Sequence, residues 1–133
     1  MNKDDILNSS IPEEYKKLLS DNDHSTCNRK DHFIEKPSRI KKAGDCGRNY
    51  GVFKEDFPAV SGSDITNLYS VERGEDRKDI MLEYQNIVGV VWESPTTKKF
   101  TNLVRMKRTP DGTPHTYPVL PVFRKDEKVT KLA

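Results

Sequence analysis

Hydrophobic positions follow a helical period near the N-terminus. Four apolar side chains there fall at i, i+4, i+7 and i+8: Ile11, Tyr15, Leu18 and Leu19. This spacing places them on one face of a helix. Ser10 and Glu13 have the spacing of a capping box, and Pro12 lies in the first turn, where its missing N–H costs no hydrogen bond. The pattern predicts an amphipathic helix over residues 10–20.

The next stretch, residues 21–51, has no hydrophobic period. Its apolar side chains are sparse, and proline and glycine interrupt it repeatedly. Irregular segments of this length are uncommon inside compact domains, where they are usually functional, disordered or bound to a partner. We therefore expect a long, extended and irregular middle segment.

Two further helices are predicted downstream. In residues 61–74, Ile65, Leu68 and Tyr69 have helical spacing. In residues 75–85, acidic side chains lead the segment, as the helix dipole favours.

Three later segments have the features of β-strands. Residues 86–92 are the most apolar run and are rich in β-branched side chains, which favours a buried strand. Residues 100–108 also predict a strand, with a helix as the weaker alternative, and a turn rich in proline and glycine follows them. Residues 115–123 contain Pro118 and Pro121, so they can form an edge strand or a polyproline-like strip but not a central strand.

Together these elements predict an α+β chain. We expect an N-terminal amphipathic helix, the irregular middle segment, and a small C-terminal part with one or two helices and a β-hairpin or meander. The predicted domains are 1–60, the helix and the extended partner-binding segment; 61–125, the globular part; and 126–133, a polar tail. The predicted core comprises Leu68, Ile80, Leu82, Tyr84, Ile87, Val88, Val90, Val91, Trp92, Leu103 and Val104.

The composition makes a large core difficult to build. Hydrophobic residues are 33% of the 133-residue chain, against about 45–50% in typical domains. Charged residues are also 33%, against about 25%. Burial of so little apolar surface hardly offsets the entropy lost when the backbone is ordered. The sequence therefore favours a segment that folds on a partner.

Charge is distributed unevenly along the chain. The 23 basic and 21 acidic residues leave a net charge of +2, which is too small to indicate a nucleic-acid partner by itself. Acidic residues predominate in residues 1–23, and basic residues predominate in residues 29–48 and again from Lys98 to Lys131. Two basic patches suit an acidic partner surface.

The sequence has no apolar run near the length of about 18–20 residues that spans a membrane. The first ten residues also lack the apolar core of a signal peptide. We therefore expect a cytoplasmic or nuclear protein with no membrane partner, in which Cys27 and Cys46 stay reduced.

One cluster of metal-binding residue types lies in the middle segment. Its spacing is H-x2-C-x4-H-x13-C, with the members His24, Cys27, His32 and Cys46. Four nitrogen and sulfur ligands suit tetrahedral zinc. Common zinc modules, however, place a close ligand pair on each side of a longer loop, and Cys46 has no second ligand nearby. We predict no metal and no other cofactor, with this set as the zinc alternative.

The same segment supports a nucleic-acid alternative. Its basic side chains lie near Phe33 and Tyr50, and basic grooves with interleaved aromatic rings bind single strands. A nuclease could use His24, His32 or His115 as general base, with Lys or Arg holding phosphate. No P-loop, GxSxG or HExxH motif is present.

The interpretation that needs no special residue is a non-enzymatic structural or interaction component of a larger assembly. Such chains lay aromatic and proline-rich segments into grooves of a partner. The composition is similar to that of small proteins lining cytoskeletal filaments, including those inside ciliary microtubules, and to accessory subunits of ribonucleoprotein particles. We predict an acidic protein partner, with the microtubule as first expectation, and no small-molecule substrate. The alternative is a nucleic-acid-directed protein, either a binding module or a nuclease toxin domain.

The predicted contact residues form two groups. The basic group in the middle segment comprises Arg29, Lys30, Lys36, Arg39, Lys41, Lys42, Arg48 and Tyr50. The C-terminal strip comprises Tyr117, Pro118, Pro121 and Phe123.

Overall fold

The computed structural model describes residues 3–21, 32, 34–54, 65–75, 77–108, 112 and 114–132. Within them the chain is mixed α and β, with two antiparallel sheets and only short helices. The helices are α1 (Lys3–Leu7), α2 (Glu13–Asp21) and α3 (Pro37–Ile40), with a 3-10 helix at Asp45–Gly47. The strands are β1 (Tyr50–Phe53), β2 (Ile65–Arg73), β3 (Arg77–Tyr84), β4 (Gly89–Ser94), β5 (Thr97–Thr101), β6 (Leu103–Arg108), β7 (Pro114–Val119) and β8 (Glu127–Lys131).

One long bent hairpin joins the two sheets. The small sheet has the strand order β1-β4-β5, and the large sheet has the order β7-β6-β3-β2-β8. One arm of the hairpin contains β3 and β4, and the other contains β5 and β6. Residues 85–88 lie at the bend in the first arm, whereas only Asn102 lies there in the second. The extra residues in the first arm let the hairpin bend at this point. Before and after the bend its strands belong to different sheets, so the hairpin contributes β3 and β6 to the large sheet and β4 and β5 to the small sheet.

The main core lies between the large sheet and the N-terminal helices. The predicted stripe of α2 is confirmed, because Ile11, Tyr15, Leu18 and Leu19 are all buried. They belong to one cluster with side chains of the large sheet: Leu68, Ile80, Leu82, Val104 and Met106. Residues on both sides of position 60 thus contribute to this core, while the predicted domain boundary itself stays a prediction.

The helix predicted over residues 61–74 is wrong for its described part, which forms β2. A β-bulge between Ile65 and Asn67 inserts one extra residue opposite β3. The extra residue interrupts the two-residue alternation of a strand. Ile65 and Leu68 are therefore both buried in the main core although they are three positions apart. A separation of three between buried residues is also what a helix gives, and this explains the wrong prediction.

The helix predicted over residues 75–85 is also wrong, because β3 occupies most of it. Both faces of β3 are covered. Ile80 and Leu82 pack in the main core, whereas Met81 packs on the other face with Val71 and Leu103. A strand buried on both faces has an uninterrupted apolar run and no alternation.

The described part of the middle segment after residue 33 is less irregular than predicted. Residues 37–40 form α3, which begins at a proline, and β1 pairs with β4 at the edge of the small sheet. Ala43, Tyr50 and Val52 form a second buried cluster. This cluster holds residues 40–52 on the small sheet.

The three segments predicted as strands contain strands, with different bounds. Residues 86–92 overlap β4, and residues 115–123 overlap β7 at an edge of the large sheet. The single strand predicted over residues 100–108 is instead divided between β5 and β6, which belong to different sheets. The end of the chain, predicted as a polar tail, contains strand β8, most of whose side chains are exposed.

Most of the predicted core is buried, with three exceptions. Ile87 is 41% exposed, and Val90 and Trp92 are only partly buried beside Tyr50 and Val52. Among the described residues, no helix combines the length and the apolar character needed to cross a membrane.

Candidate functional site

The candidate site begins on the outer face of the β6–β7 pair. Arg105 lies opposite Tyr117, and Lys107 lies opposite His115. Because alternate residues of a strand share a face, all four side chains project from the same side of the sheet. This is the side away from Met106, which is fully buried in the main core.

His32 completes a compact group on this face. Its ring centroid lies 5.1 Å from that of His115 and 5.5 Å from that of Tyr117, with which it stacks. The centroids of His115 and Tyr117 are 4.9 Å apart. The Lys107 ammonium lies 5.4 Å from the centre of the Tyr117 ring. We call His32, Lys107, His115 and Tyr117 the histidine cluster.

The cluster is largely shielded from solvent. His32 is 5% exposed and His115 is 8% exposed. Lys107 and Tyr117 retain intermediate exposure, so a ligand would reach the cluster from their side. Burial raises the pKa of Tyr117, which keeps its hydroxyl protonated at neutral pH.

The backbone fixes the tautomer of His32. Nδ1 lies 2.6 Å from the carbonyl oxygen of Gly51. A carbonyl oxygen can only accept a hydrogen bond, so Nδ1 carries the proton. In the neutral ring Nε2 is then the unprotonated nitrogen and the atom that can act as a base.

A buried ionic network supports the cluster from the neighbouring strands. Arg105 Nη2 donates to Asp79 Oδ2 at 2.8 Å and to Glu127 Oε2 at 2.7 Å. The Asp79 and Glu127 side chains are 3% and 6% exposed. Charged hydrogen bonds in such a shielded place hold the guanidinium firmly. Arg105 therefore presents a fixed positive charge beside Tyr117.

A second feature, the basic surface, lies on the middle segment. It comprises the exposed side chains of Lys36, Arg39, Lys41, Lys42 and Arg48. The small sheet anchors this segment closely. A Cβ atom at Gly44 would lie 2.5 Å from the carbonyl oxygen of Glu93, so glycine is what permits the approach to β4.

Tyr50 connects the basic surface to the histidine cluster. The Arg39 guanidinium carbon lies 5.4 Å from the centre of the Tyr50 ring, within the usual range of a cation–π contact. The ring centroid of Tyr50 also lies 6.2 Å from that of His32. The Tyr50 hydroxyl donates to the carbonyl oxygen of Ile34 at 3.0 Å. Cations and rings thus form a continuous row.

The predicted contact residues are placed as follows. The five cations of the basic surface are exposed, whereas Tyr50 is buried. Arg29 and Lys30 lie outside the described residues. In the C-terminal strip, Pro118 is buried, Tyr117 and Phe123 are partly buried, and Pro121 is exposed. Their contact with a partner stays a prediction.

The predicted zinc set is only partly described. His24 and Cys27 lie outside the described residues. His32 belongs to the histidine cluster, and Cys46 is an exposed free thiol. In the part of the chain that the structure describes, no group of three or more His, Cys, Asp or Glu is arranged to hold a metal.

The sequence analysis missed Lys107 and the association of His32 with His115. A signal for part of this was present. The alternating pairs Arg105–Lys107 and His115–Tyr117 flank a turn rich in proline and glycine. Two strands joined by such a turn place alternate residues on one face. Nothing in the spacing indicated that His32 would join them.

Comparisons of the chain with known protein families, with curated proteins and with solved structures find no match. The geometry of the chain itself is therefore the basis for a functional proposal.

Proposed function

We propose that this protein is a nucleic-acid-directed module that binds a single-stranded polynucleotide through the basic surface. The observation that carries the proposal is the group of exposed cations between Lys36 and Arg48, one of which, Arg39, contacts the buried Tyr50 ring. Cations neutralise backbone phosphates, so a group of exposed cations suits a polyanion.

The charge context supports this surface as the binding face. Two cations of the large sheet pair with acids of the chain: Lys78 with Glu14 at 3.1 Å, and Arg73 with Asp126 at 2.8 Å. The basic surface gathers five exposed cations within thirteen consecutive residues, 36–48, among which Asp45 is the single acid. Clustered charge of one sign raises the local concentration of a polyanion.

The packing also supports a module that folds before it binds. The N-terminal helices and the large sheet share one buried cluster. A shared core of this kind offsets chain entropy without a partner. This favours the nucleic-acid alternative over a segment that folds only on an assembly.

An acidic protein assembly is the second candidate. The observation that favours it is the exposed apolar strip after β7, where Val122 is 71% exposed beside the exposed Pro121. A proline-containing strip suits a groove on a protein partner. A cytoplasmic, cytoskeletal location belongs to this second proposal.

The test measures binding of a fluorescent single-stranded DNA oligonucleotide by anisotropy across a salt series. The variant carries Lys41→Gln, Lys42→Gln and Arg48→Gln. Each cation that no longer neutralises a phosphate reduces the slope of log affinity against log salt by about 0.7. We expect the variant to bind about tenfold or more weakly, with a slope reduced by about 2.

The matched control removes three exposed lysines at the far edge of the large sheet: Lys125→Gln, Lys128→Gln and Lys131→Gln. It has the same net charge as the first variant and should bind almost as the wild type does. Equally weakened binding by both variants would contradict a localised surface. If the wild-type protein does not bind the oligonucleotide but co-sediments with microtubules, the nucleic-acid proposal fails and the acidic protein assembly is the partner.

A further inference from the structure

We infer that the histidine cluster is a catalytic site that cleaves RNA by transesterification at a phosphodiester. This inference rests on the proposed function, because the basic surface would deliver the polynucleotide. The cluster brings together two imidazoles, an ammonium group and a phenol on one face of the chain. These are the group types that proton transfer to and from a phosphodiester requires.

The two imidazoles are close enough to be assigned to one phosphodiester as base and acid, because their centroids are 5.1 Å apart. The Gly51 carbonyl oxygen fixes the proton of His32 on Nδ1, so in the neutral ring Nε2 is the basic nitrogen. We therefore assign His32 as the base and His115 as the acid.

The step is balanced without any other reactant. His32 Nε2 takes the proton of a ribose 2′-hydroxyl while the 2′-oxygen bonds to the adjacent phosphorus. The bond between phosphorus and the 5′-oxygen breaks, and the His115 imidazolium gives its proton to that leaving oxygen. The products are a 2′,3′-cyclic phosphate and a 5′-hydroxyl, and the two histidines have exchanged protonation states.

Lys107 is placed to stabilise the charge that develops on phosphate. It lies directly opposite His115 in the β6–β7 register and reaches over the Tyr117 ring. An ammonium group in a shielded site stabilises such charge more strongly than it would in water. Tyr117 is a positioning residue, because it stacks on His32, and Arg105 lies opposite Tyr117 in the register.

The site lies next to the surface that would bind the strand. Tyr50 contacts Arg39 and lies beside His32. A strand held along the basic surface therefore passes beside the histidine cluster. The chemistry also selects the sugar, because the nucleophile is the 2′-hydroxyl, which DNA lacks.

The test uses a DNA oligonucleotide that contains one ribonucleotide, with a fluorophore and a quencher at its ends. The buffer contains EDTA, since proton transfer by two imidazoles needs no metal. We expect cleavage only at the ribonucleotide and none of the all-DNA oligonucleotide. Mass spectrometry should find the cyclic phosphate on one fragment and the 5′-hydroxyl on the other.

Protein variants test the assigned residues. His115→Gln should lower the rate about 100-fold or more, the usual contribution of a general acid. Lys107→Gln should lower it about 10-fold or more, as expected when one electrostatic interaction is removed. The matched control Lys125→Gln, an exposed lysine near β8, should keep the wild-type rate within about twofold. Thermal unfolding of each variant establishes that it remains folded.

The outcomes separate this inference from the proposed function. If the all-DNA oligonucleotide binds but the ribonucleotide-containing one is not cleaved, the catalytic inference fails and the binding proposal stands. If neither oligonucleotide binds or is cut, both fail. Cleavage at deoxyribose positions, or cleavage only with added metal, would overturn the assigned chemistry. If His115→Gln does not fold, two other results test the catalytic inference. These are the restriction of cleavage to the ribonucleotide and the lowered cleavage rate of Lys107→Gln.

Discussion

Gly51 of β1 and Pro118 of β7 bring the two sheets into backbone contact. A Cβ atom at Gly51 would overlap the carbonyl oxygen of Pro118, at a distance that real Cβ atoms essentially never show. The carbonyl oxygen of the same Gly51 accepts the hydrogen bond from His32 Nδ1. One glycine thus joins the sheets and sets the position of the histidine cluster.

Substitution of this glycine should destabilise the fold. In Gly51→Ala the methyl group meets backbone atoms, which cannot rotate away as a side chain can. We expect a decrease of about 1–3 kcal/mol in the free energy of unfolding, the usual cost of overpacking. Urea titration followed by tryptophan fluorescence measures it, because Trp92 lies opposite Tyr50 in the neighbouring strand.

The control for this substitution is Gly74→Asn. Gly74 has a φ of 64° and no neighbouring atom near its Cβ position. Asn tolerates such a backbone better than most residues do. We expect a cost of about 1 kcal/mol, at the low end of the range for a left-handed residue other than glycine. Equal costs for the two variants would mean that β1 and β7 are not in close contact in solution.

The N-terminal helix should be an integral part of the folded unit. Leu19 of α2 is 1% exposed and packs in the main core. Leu19→Ala removes three carbon atoms from a filled site, which typically costs about 2–5 kcal/mol. Ser20→Ala changes an exposed neighbour and should cost within about 0.5 kcal/mol.

Thermal and urea unfolding measure both variants. We expect one cooperative transition in the wild type and a shifted single transition in Leu19→Ala. A transition unaffected by Leu19→Ala would mean that the helix does not dock on the sheet. This measurement also tests whether the chain folds alone, which its polar composition argued against.

Hydrophobic pattern predicted the strongly periodic parts of the fold. The apolar stripe of α2 has the spacing of a helix, and the apolar run of β4 is rich in β-branched residues that favour a strand, so the pattern of each segment indicated one type of element. Two strands were misassigned for separate reasons: the bulge at Ile65–Asn67 broke the alternation of β2, and burial on both faces removed the alternation of β3. Periodicity distinguishes helix from strand only when one face is exposed and the register is unbroken.

The candidate site was less accessible to sequence reasoning. His32 and His115 are separated by most of the chain and meet because β1 packs beside β7. That packing depends on contacts between strands rather than on local spacing. The basic surface could be predicted, because its cations are close together in sequence and exposed positions need no tertiary information.

Glu127 should couple stability to acidic pH. Burial alone would raise its pKa, but hydrogen bonds from the Arg124 N–H at 3.0 Å and from Arg105 at 2.7 Å stabilise the carboxylate, and the net effect is a lowered pKa. An unfolded chain has an ordinary Glu pKa of about 4.3. The carboxylate therefore contributes stability above that value, and the contribution is lost as pH falls through the lower folded value.

Glu127→Gln isolates this contribution. Removal of the charged hydrogen bond to Arg105 should lower the free energy of unfolding by about 1.5–3 kcal/mol at about pH 7. The gap between wild type and variant should narrow as urea titrations move from about pH 5 to about pH 3. Glu75→Gln, at an exposed position, should stay within about 0.5 kcal/mol of the wild type. A gap that is the same at every pH would mean that Glu127 acts through its shape rather than its charge, and Asp79 would then be the carboxylate that fixes Arg105.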